Sequence, residues 1–406
     1  MTISATKPRN PKRPHPTSQQ KTCTSNRLLS TNYKNLHISK DAMKIDIIGA
    51  GPIGGQTAYL LAKKGFDVHL YEEHAHIGKP IQCTGLMTLS LNDILTPTKE
   101  FLVNTTERIE VIGPNNAKVE IKSKEYIVDR TLFDSHFVNK AIDAGATLHD
   151  QHRFIGRENG FLLFKDGKNS ETKRIKKDIV IGADGPLSTT AKAFDLYGKR
   201  EFYYGIQVRA QGSFDQNAYQ TYFGNNIAPG LFAWVVPETE TIARVGLGTR
   251  RNAHFFFQKF MKEHNFIPID TQAGPIPIYN SKIKTENLKE WVYSIGDAAA
   301  QVKATTLGGL IPGLKAAACL AEAIETQTSY EKLWKKVVGR DLWLHLKIRN
   351  VLDRFADSDW NRLIALMAQD KVKGILEKYD REKPMKLLAA LVKEPQLVRF
   401  LPKIFA

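Results

Sequence analysis

Three glycines, Gly49, Gly51 and Gly54, carry the G-x-G-x-x-G spacing in the stretch GAGPIGG, between an apolar run, KIDII, and a helix-like run, TAYLLAKKG. That spacing suits a pyrophosphate. The first glycine permits a tight turn, the second lets backbone approach the phosphates, the third lets helix and strand pack, and the helix N-terminus faces the negative charge. Glu72 closes a second apolar run, DVHLYEE, where a carboxylate accepts hydrogen bonds from ribose hydroxyls. A glycine-rich turn can serve packing alone, but with strand, helix and acid in place a bound dinucleotide is the expectation.

Two distant stretches bear on which dinucleotide. VIGADGPLSTTAK sets Asp184 and Gly185 after a strand-like run, and YSIGDAAAQVKATTLGGLIPGLKAA sets Asp297 after another, with Gly308 and Gly309 before an Ala-rich helix. An acid at such a strand end can hold a ribityl hydroxyl, and a Gly-Gly pair can bring backbone amides to a flavin ring oxygen or a phosphate. An Asp-Gly pair alone is commonly just a turn, whereas the three stretches in this order point to FAD. No second dinucleotide fingerprint is present, so the electron donor, NAD(P)H or a ferredoxin, stays open.

The elements that must position these residues are legible as patterns. KIDII, a helix ending near Gly65 and DVHLYEE make a βαβ unit. RTLFDSHFVNKAIDAG predicts an amphipathic helix with Leu132, Phe133, Phe137, Val138 and Ile142 on its apolar face. From Arg200 to about Ser281, aromatic and β-branched runs such as EFYYGIQVRA and GLFAWVVPE predict an antiparallel sheet. The expected fold class is α/β, α+β overall: a Rossmann-like FAD-binding domain (43–100, 125–199 and 285–330) interleaved with an antiparallel-sheet substrate domain (101–124 and 200–284), then a helical C-terminal region (331–406).

Composition bounds the partners. The 406 residues carry a formal charge of +16, but residues 1–42 hold eight Lys or Arg against one acid, Asp41, which leaves a moderately basic remainder. That suits phosphate groups or an anionic membrane surface. No nucleic-acid-binding signature accompanies it, so no nucleic-acid partner is expected. Cys23, Cys83 and Cys319 lie too far apart for metal or redox pairs, no metal site is expected, and a reducing cytoplasm fits. No apolar run is long enough to span a bilayer, so membrane contact is expected to be peripheral. The basic, Ser/Thr/Pro-rich residues 1–42 read as a start placed too early before Met43, a disordered tail or a transit peptide. Lys386, Lys393, Arg399 and Lys403 among Leu, Val and Phe suit docking on anionic lipid, or simply a solvated helix face.

The ordered set GAGPIGG, GADGPLS and GDAA resembles the FAD-dependent oxidoreductases of the para-hydroxybenzoate hydroxylase fold. Within them, IGKPIQCTGL and PGLFAWVVPETETIARVGLG resemble the geranylgeranyl reductase family, over essentially residues 43–406. The resemblance implies FAD bound by Gly49, Gly51, Gly54 and Glu72 at its ADP half, by Arg130, and by Asp297, Gly308 and Gly309 at the ribityl chain and ring. It implies a catalytic part for Cys83 facing the ring, an isoprenoid lipid substrate against Trp234 and Pro237, and saturation of geranylgeranyl C=C bonds. The family's Tyr-x-Trp-x-Phe-Pro-Lys pattern is only partly kept, since Phe232, Val236 and Glu238 stand where Tyr, Phe and Lys are expected. Each feature has a plainer alternative: Arg130 as a salt-bridged helix-start residue, Cys83 as packing, Trp234 as core. Two other functions share the scaffold: a flavin monooxygenase or halogenase, and a non-catalytic prenyl-lipid carrier.

Overall fold

The computed structural model describes residues 43–392 and 394. Residues 1–42 and, of the basic C-terminal segment, Lys393, Arg399 and Lys403 lie outside the described residues.

Lys44–Ile48 is the centre of a six-stranded sheet. Its neighbours are Ile179–Gly182 and Asp67–Tyr71, both parallel, flanked by Val292–Ser294 with Glu286–Asn287 on one side and Thr147–His149 on the other. Ile45, Ile47 and Ile48 are all buried because a parallel sheet is covered on both faces. Asp46 is buried within this apolar strand, where it accepts from the Tyr71 hydroxyl (3.2 Å) and meets the Lys44 ammonium (3.0 Å). Burial still pushes its carboxyl above the usual range.

The helix Pro52–Ala62 begins on a proline whose missing N–H costs nothing at a first turn. It ends before Gly65, as the pattern predicts. Against it packs Arg130–Asp143, capped by the Asp129 carboxylate accepting the Leu132 N–H. The apolar face of that helix differs from expectation. Leu132 and Ile142 are 44% and 43% exposed, while Phe133, Phe137, Val138 and Ala141 are buried. The small Ala141 lets helices approach, and Asp134 joins the buried side because Arg130 neutralises it.

The second sheet has eight strands, ordered Ile267–Pro277, Phe202–Gln211, Ile242–Thr249, Phe232–Pro237, Ala218–Tyr222, Leu102–Ile112, Lys118–Val128 and Leu86–Thr88. It is antiparallel except where Ala218–Tyr222 runs parallel to Leu102–Ile112. Lys118–Val128 crosses the boundary drawn at residue 125, and Leu86–Thr88 also joins this sheet from the stretch assigned to the FAD-binding domain. Residues 152–176 form a small antiparallel sheet of their own. One face of the large sheet, including Val208, Val235, Val245 and Leu247, packs on Phe257, Phe260 and Met261 of the helix Ala253–His264. Strand alternation turns Trp234, Val236 and Arg244 to the other face. The C-terminal region is helical: Arg340–Leu352, Asp357–Met367, Asp370–Lys378 and Pro384–Leu391.

Candidate active site

A cavity of about 1340 Å³ starts at the glycine turn after Lys44–Ile48 and continues between the eight-stranded sheet and the C-terminal helices. Ordinary small-ligand pockets measure roughly 300–1,000 Å³, so this one has room for a dinucleotide and a second ligand together.

The three glycines divide their work. Gly49 has φ +102°, and a Cβ there would lie 2.5 Å from the Ala183 carbonyl oxygen. A Cβ on Gly54 would lie 1.9 Å from the Gly49 oxygen, while one on Gly51 would meet nothing within 4 Å. Gly49 and Gly54 thus close the turn, and Gly51 leaves its backbone open. Gly49 and Gly51 line the cavity; Gly54 sits behind them. The Glu72 carboxylate accepts the Ala50 N–H (2.9 Å) and meets His74 Nδ1 (2.6 Å), so it braces the glycine turn as well as facing the cavity.

The two strand-end acids differ. Asp184 is committed internally: it accepts from Ser188 Oγ (2.5 Å) and from both the backbone N–H and the hydroxyl of Thr190 (2.9 Å each). It holds its own turn together, with Gly185 at φ +75° beside it on the cavity wall. The Asp297 carboxylate has no hydrogen-bond donor among the described residues and opens on the cavity. Burial raises its pKa against the pull of Arg130 and Arg200. A Cβ on Gly309 would lie 2.5 Å from Asp297 Oδ1, and one on Gly308 would lie 2.9 Å from Lys303 Cε. The Gly-Gly pair therefore brings bare backbone to the cavity immediately before the helix Leu310–Thr326. A deep carboxylate lacking a donor, a glycine cradle and a helix N-terminus fit the ribityl and ring portions of FAD, as the open backbone at Gly51 fits its pyrophosphate.

Cys83 lines the same cavity. Its Sγ accepts the Gly85 N–H (3.4 Å) and Arg130 stands beside it. Arg130 spends its fork on Asp134, with two bonds of 2.9 Å, so the salt-bridged role is real even though the side chain also lines the cavity. The loop bearing Cys83 is tied down by residues that sequence reasoning missed. Arg244 donates to the carbonyls of Thr84 and Val128 (2.5 and 2.8 Å) and is held by Glu238 (2.6 Å), the acid standing where a lysine was expected. Burial would raise the Glu238 carboxyl, but Arg244 and Arg209 overcome it and hold it below the usual range. Gln207 Oε1 accepts from both Thr84 Oγ1 (2.7 Å) and Trp234 Nε1 (3.2 Å). The indole lies across Gly246, where a Cβ would come within 2.6 Å of the ring. Trp234 lines the cavity, but Pro237 does not: it is buried at the strand end, its carbonyl accepting from Asn104 (2.9 Å).

Beyond Trp234 the walls turn apolar. Ile109, Val111, Ile121 and Phe232 of the sheet and Ile348, Leu352, Ile364 and Met367 of the helices line the cavity there, Val111 and Ile121 packing with Ile364, and Phe223 stacks on Trp360 at 4.5 Å. Where this tunnel meets the flavin cradle sits a buried polar cluster, also unforeseen. Lys303 pairs with Glu382, Arg381 with Glu125 and the Tyr219 hydroxyl, and His345 Nδ1 meets Thr305 Oγ1 at 2.6 Å. Burial, reinforced by Lys303, pushes the His345 imidazole down to about 3, so it stays neutral.

The comparisons with known proteins bear on this arrangement. Residues 203–276, which include Gln207, Trp234, Glu238 and Arg244, match the geranylgeranyl reductase catalytic domain, and residues 47–83 match the NAD(P)-binding Rossmann-like domain. Over that segment the chain is similar to the geranylgeranyl reductases. The digeranylgeranylglycerophospholipid reductase of Methanocaldococcus jannaschii is 28% identical over 89% of the chain and 97% of that protein. A protein of the same name from Methanothermobacter thermautotrophicus is 28% identical over 89% of the chain and all of that protein (100%). Among solved structures, a geranylgeranyl bacteriochlorophyll reductase-like protein from Thermoplasma acidophilum superposes with a TM-score of 0.74 at 22% identity, covering 89% of this chain and 99% of that one. The flavin-dependent halogenase CmlS shares the fold at a TM-score of 0.62 and 14% identity, over 86% of this chain and 76% of its own. The reductase-like chain is thus an FAD-type oxidoreductase with a mixed α/β fold and a helical C-terminal region.

Proposed function

We propose that the protein saturates C=C bonds in the geranylgeranyl chains of archaeal-type membrane lipids or their precursors, using FAD held by Gly49, Gly51, Glu72, Arg130, Asp297, Gly308 and Gly309. Asp184 and Gly185 shape the wall of that site, Gly54 closes the glycine turn behind it, and Trp234 and Pro237 belong to the substrate side, Pro237 through the strand end it closes. The observation that carries this reading is the single cavity in which a flavin cradle opens into an apolar tunnel. An unactivated alkene offers almost no polar handle, so tunnel shape has to position it.

Bound FAD, once reduced, supplies a hydride to one alkene carbon. The chain supplies the rest. The tunnel walls exclude water and align the prenyl chain, Gln207 holds Trp234 and the Cys83 loop in one register, and Cys83 Sγ, on the cavity wall, delivers a proton to the other carbon. The electron source would be NAD(P)H or a ferredoxin. The lipid substrate places the protein at the cytoplasmic face of a membrane as a peripheral protein; among the described residues, no helix is long and apolar enough to cross one.

The deciding experiment incubates dithionite-reduced protein with a digeranylgeranylglyceryl phospholipid and follows lipid mass. A gain of two hydrogens per reduced bond is expected, and unchanged lipid overturns the proposal. Cys83→Ala should slow this reduction by about a hundredfold, within the usual range for loss of a general acid, with bound flavin absorbance retained. Met367→Trp, which narrows the tunnel, should lower kcat/KM for geranylgeranyl chains by at least about tenfold relative to shorter prenyl chains, since pocket shape alone discriminates chain size by roughly that much.

A further inference from the structure

Lys303 is a cation taken out of water at the edge of the flavin cradle. Its side chain is 9% exposed and that of its partner Glu382 is 5% exposed. The loop between Lys303 and Gly308 is closed by backbone bonds at both ends, with Leu307 N–H donating to the Lys303 carbonyl (2.8 Å) and Lys303 N–H donating to the Gly308 carbonyl (3.2 Å). This curl folds the ammonium back onto the Gly-Gly pair: a Cβ on Gly308 would lie 3.1 Å from Lys303 Nζ. Glu382 is not among the three atoms nearest that position, which are Lys303 Cε and Nζ and Thr306 Oγ1. The cation is therefore closer to the cradle than its counterion. Burial alone would raise the Glu382 carboxyl, but Lys303 and then Arg381 overcome this and hold it ionised below the usual carboxylate range.

Of the other charges nearby, Asp297 stands against Gly309 on the far side of the Gly-Gly pair, raised in pKa by burial and drawn on by Arg130 and Arg200. Arg381 is engaged by Glu125 and Tyr219, and His345 is neutral. Desolvating a lysine with its counterion is expensive and weak evidence of stabilisation, so the pair calls for a reason other than stability.

We propose that Lys303 and Glu382 together set the reduction potential of the bound flavin, Lys303 stabilising the negative charge that reduction places on the ring edge received by Gly308 and Gly309, and Glu382 tempering that effect. Two electrons and one proton added to FAD leave an anion whose charge spreads over the N1–C2–O2 edge of the ring. Backbone N–H groups and a helix N-terminus favour that anion with partial charges; an adjacent ammonium adds a full one in a site of low dielectric. Glu382 comes from the C-terminal helical region, so the part of the chain that walls the tunnel also adjusts the electron affinity of the cofactor. Lys303 and Glu382 are positioning charges and touch no reacting carbon.

This inference rests on the FAD reading and not on the lipid. The test is the midpoint potential of the FAD-loaded protein, measured by equilibration with a dye of known potential under dithionite. Lys303→Met is expected to disfavour the reduced form at least tenfold, a fall of about 30 mV for a two-electron couple. Glu382→Gln is expected to shift the potential upward, and the double variant Lys303→Met with Glu382→Gln should fall between the two, which covers the case where one unpaired charge impairs folding. Single variants that move together, or potentials unchanged in all three, overturn the proposal. A wild-type protein that binds no FAD overturns it along with the flavin reading, whereas a flavoprotein with the expected shifts but no lipid reduction overturns the lipid reading alone.

Discussion

Asp297→Asn should weaken FAD binding and, in the same protein, stabilise the FAD-free form. A carboxylate accepting from a ligand hydroxyl contributes about 1.5–3 kcal/mol, so the dissociation constant should rise roughly tenfold to a hundredfold. In the absence of ligand the same carboxylate is deep, without a hydrogen-bond donor among the described residues, and raised in pKa by burial, with Arg130 and Arg200 only partly opposing. A carboxyl whose folded pKa is raised favours the folded state while protonated, and loses that contribution as pH rises through the folded value. Wild-type FAD-free protein should therefore give up stability toward neutral pH that the Asn variant keeps. Thermal unfolding of the FAD-free pair against pH, with flavin fluorescence titration for affinity, reads both signs. An Asn variant that is less stable without FAD would show that Asp297 serves the fold and not a ligand.

Arg244→Met should be the most destabilising single change near the site. It removes the donor to two carbonyls of the Cys83 loop and leaves Glu238 buried with Arg209 as its remaining partner. Breaking a buried pair from one side costs about 3–5 kcal/mol, to be read as a lower urea midpoint at unchanged slope. Replacing both partners, Arg244→Met with Glu238→Gln, should recover part of the loss, because no unpaired charge then stays behind. Since Arg244 also fixes the loop, lipid reduction should fall in both variants. A double variant as unstable as the single one would mean that lost packing, not the stranded carboxylate, sets the cost.

The cofactor half of the site was legible along the chain because its demands are local. A pyrophosphate on a helix N-terminus needs glycines at fixed intervals, and a strand–glycine–acid unit stays together whatever else the chain does. Gly49, Gly51, Glu72, Asp297, Gly308 and Gly309, read on that basis, line one cavity, and Gly54 packs behind Gly49. Asp184 shows what the pattern leaves out: the same strand-end acid accepts three bonds from Ser188 and Thr190, and only side-chain geometry tells a carboxylate that holds its own turn from one without such partners. Leu132 and Ile142 show it again, since periodicity reports which residues are apolar and not which flank a neighbouring helix covers.

Residue types and spacing by themselves thus determined a Rossmann-like domain, an antiparallel sheet and a helical C-terminal region. The tertiary structure alone decided what surrounds the cavity beside Cys83 and the Gly-Gly pair. Arg244 reaches Thr84 across 160 residues and Arg381 reaches Glu125 across 256. Lys303 meets Glu382 only because the last helices fold back over the sheet. Such pairings leave no periodic trace, since each is a single charge or amide whose partner is selected by packing. The apolar wall of the cavity is hidden for the same reason: Val111 and Ile364 pack together with Ile109 and Met367 against them, like ordinary core, and only the fold shows that this cluster borders the cavity.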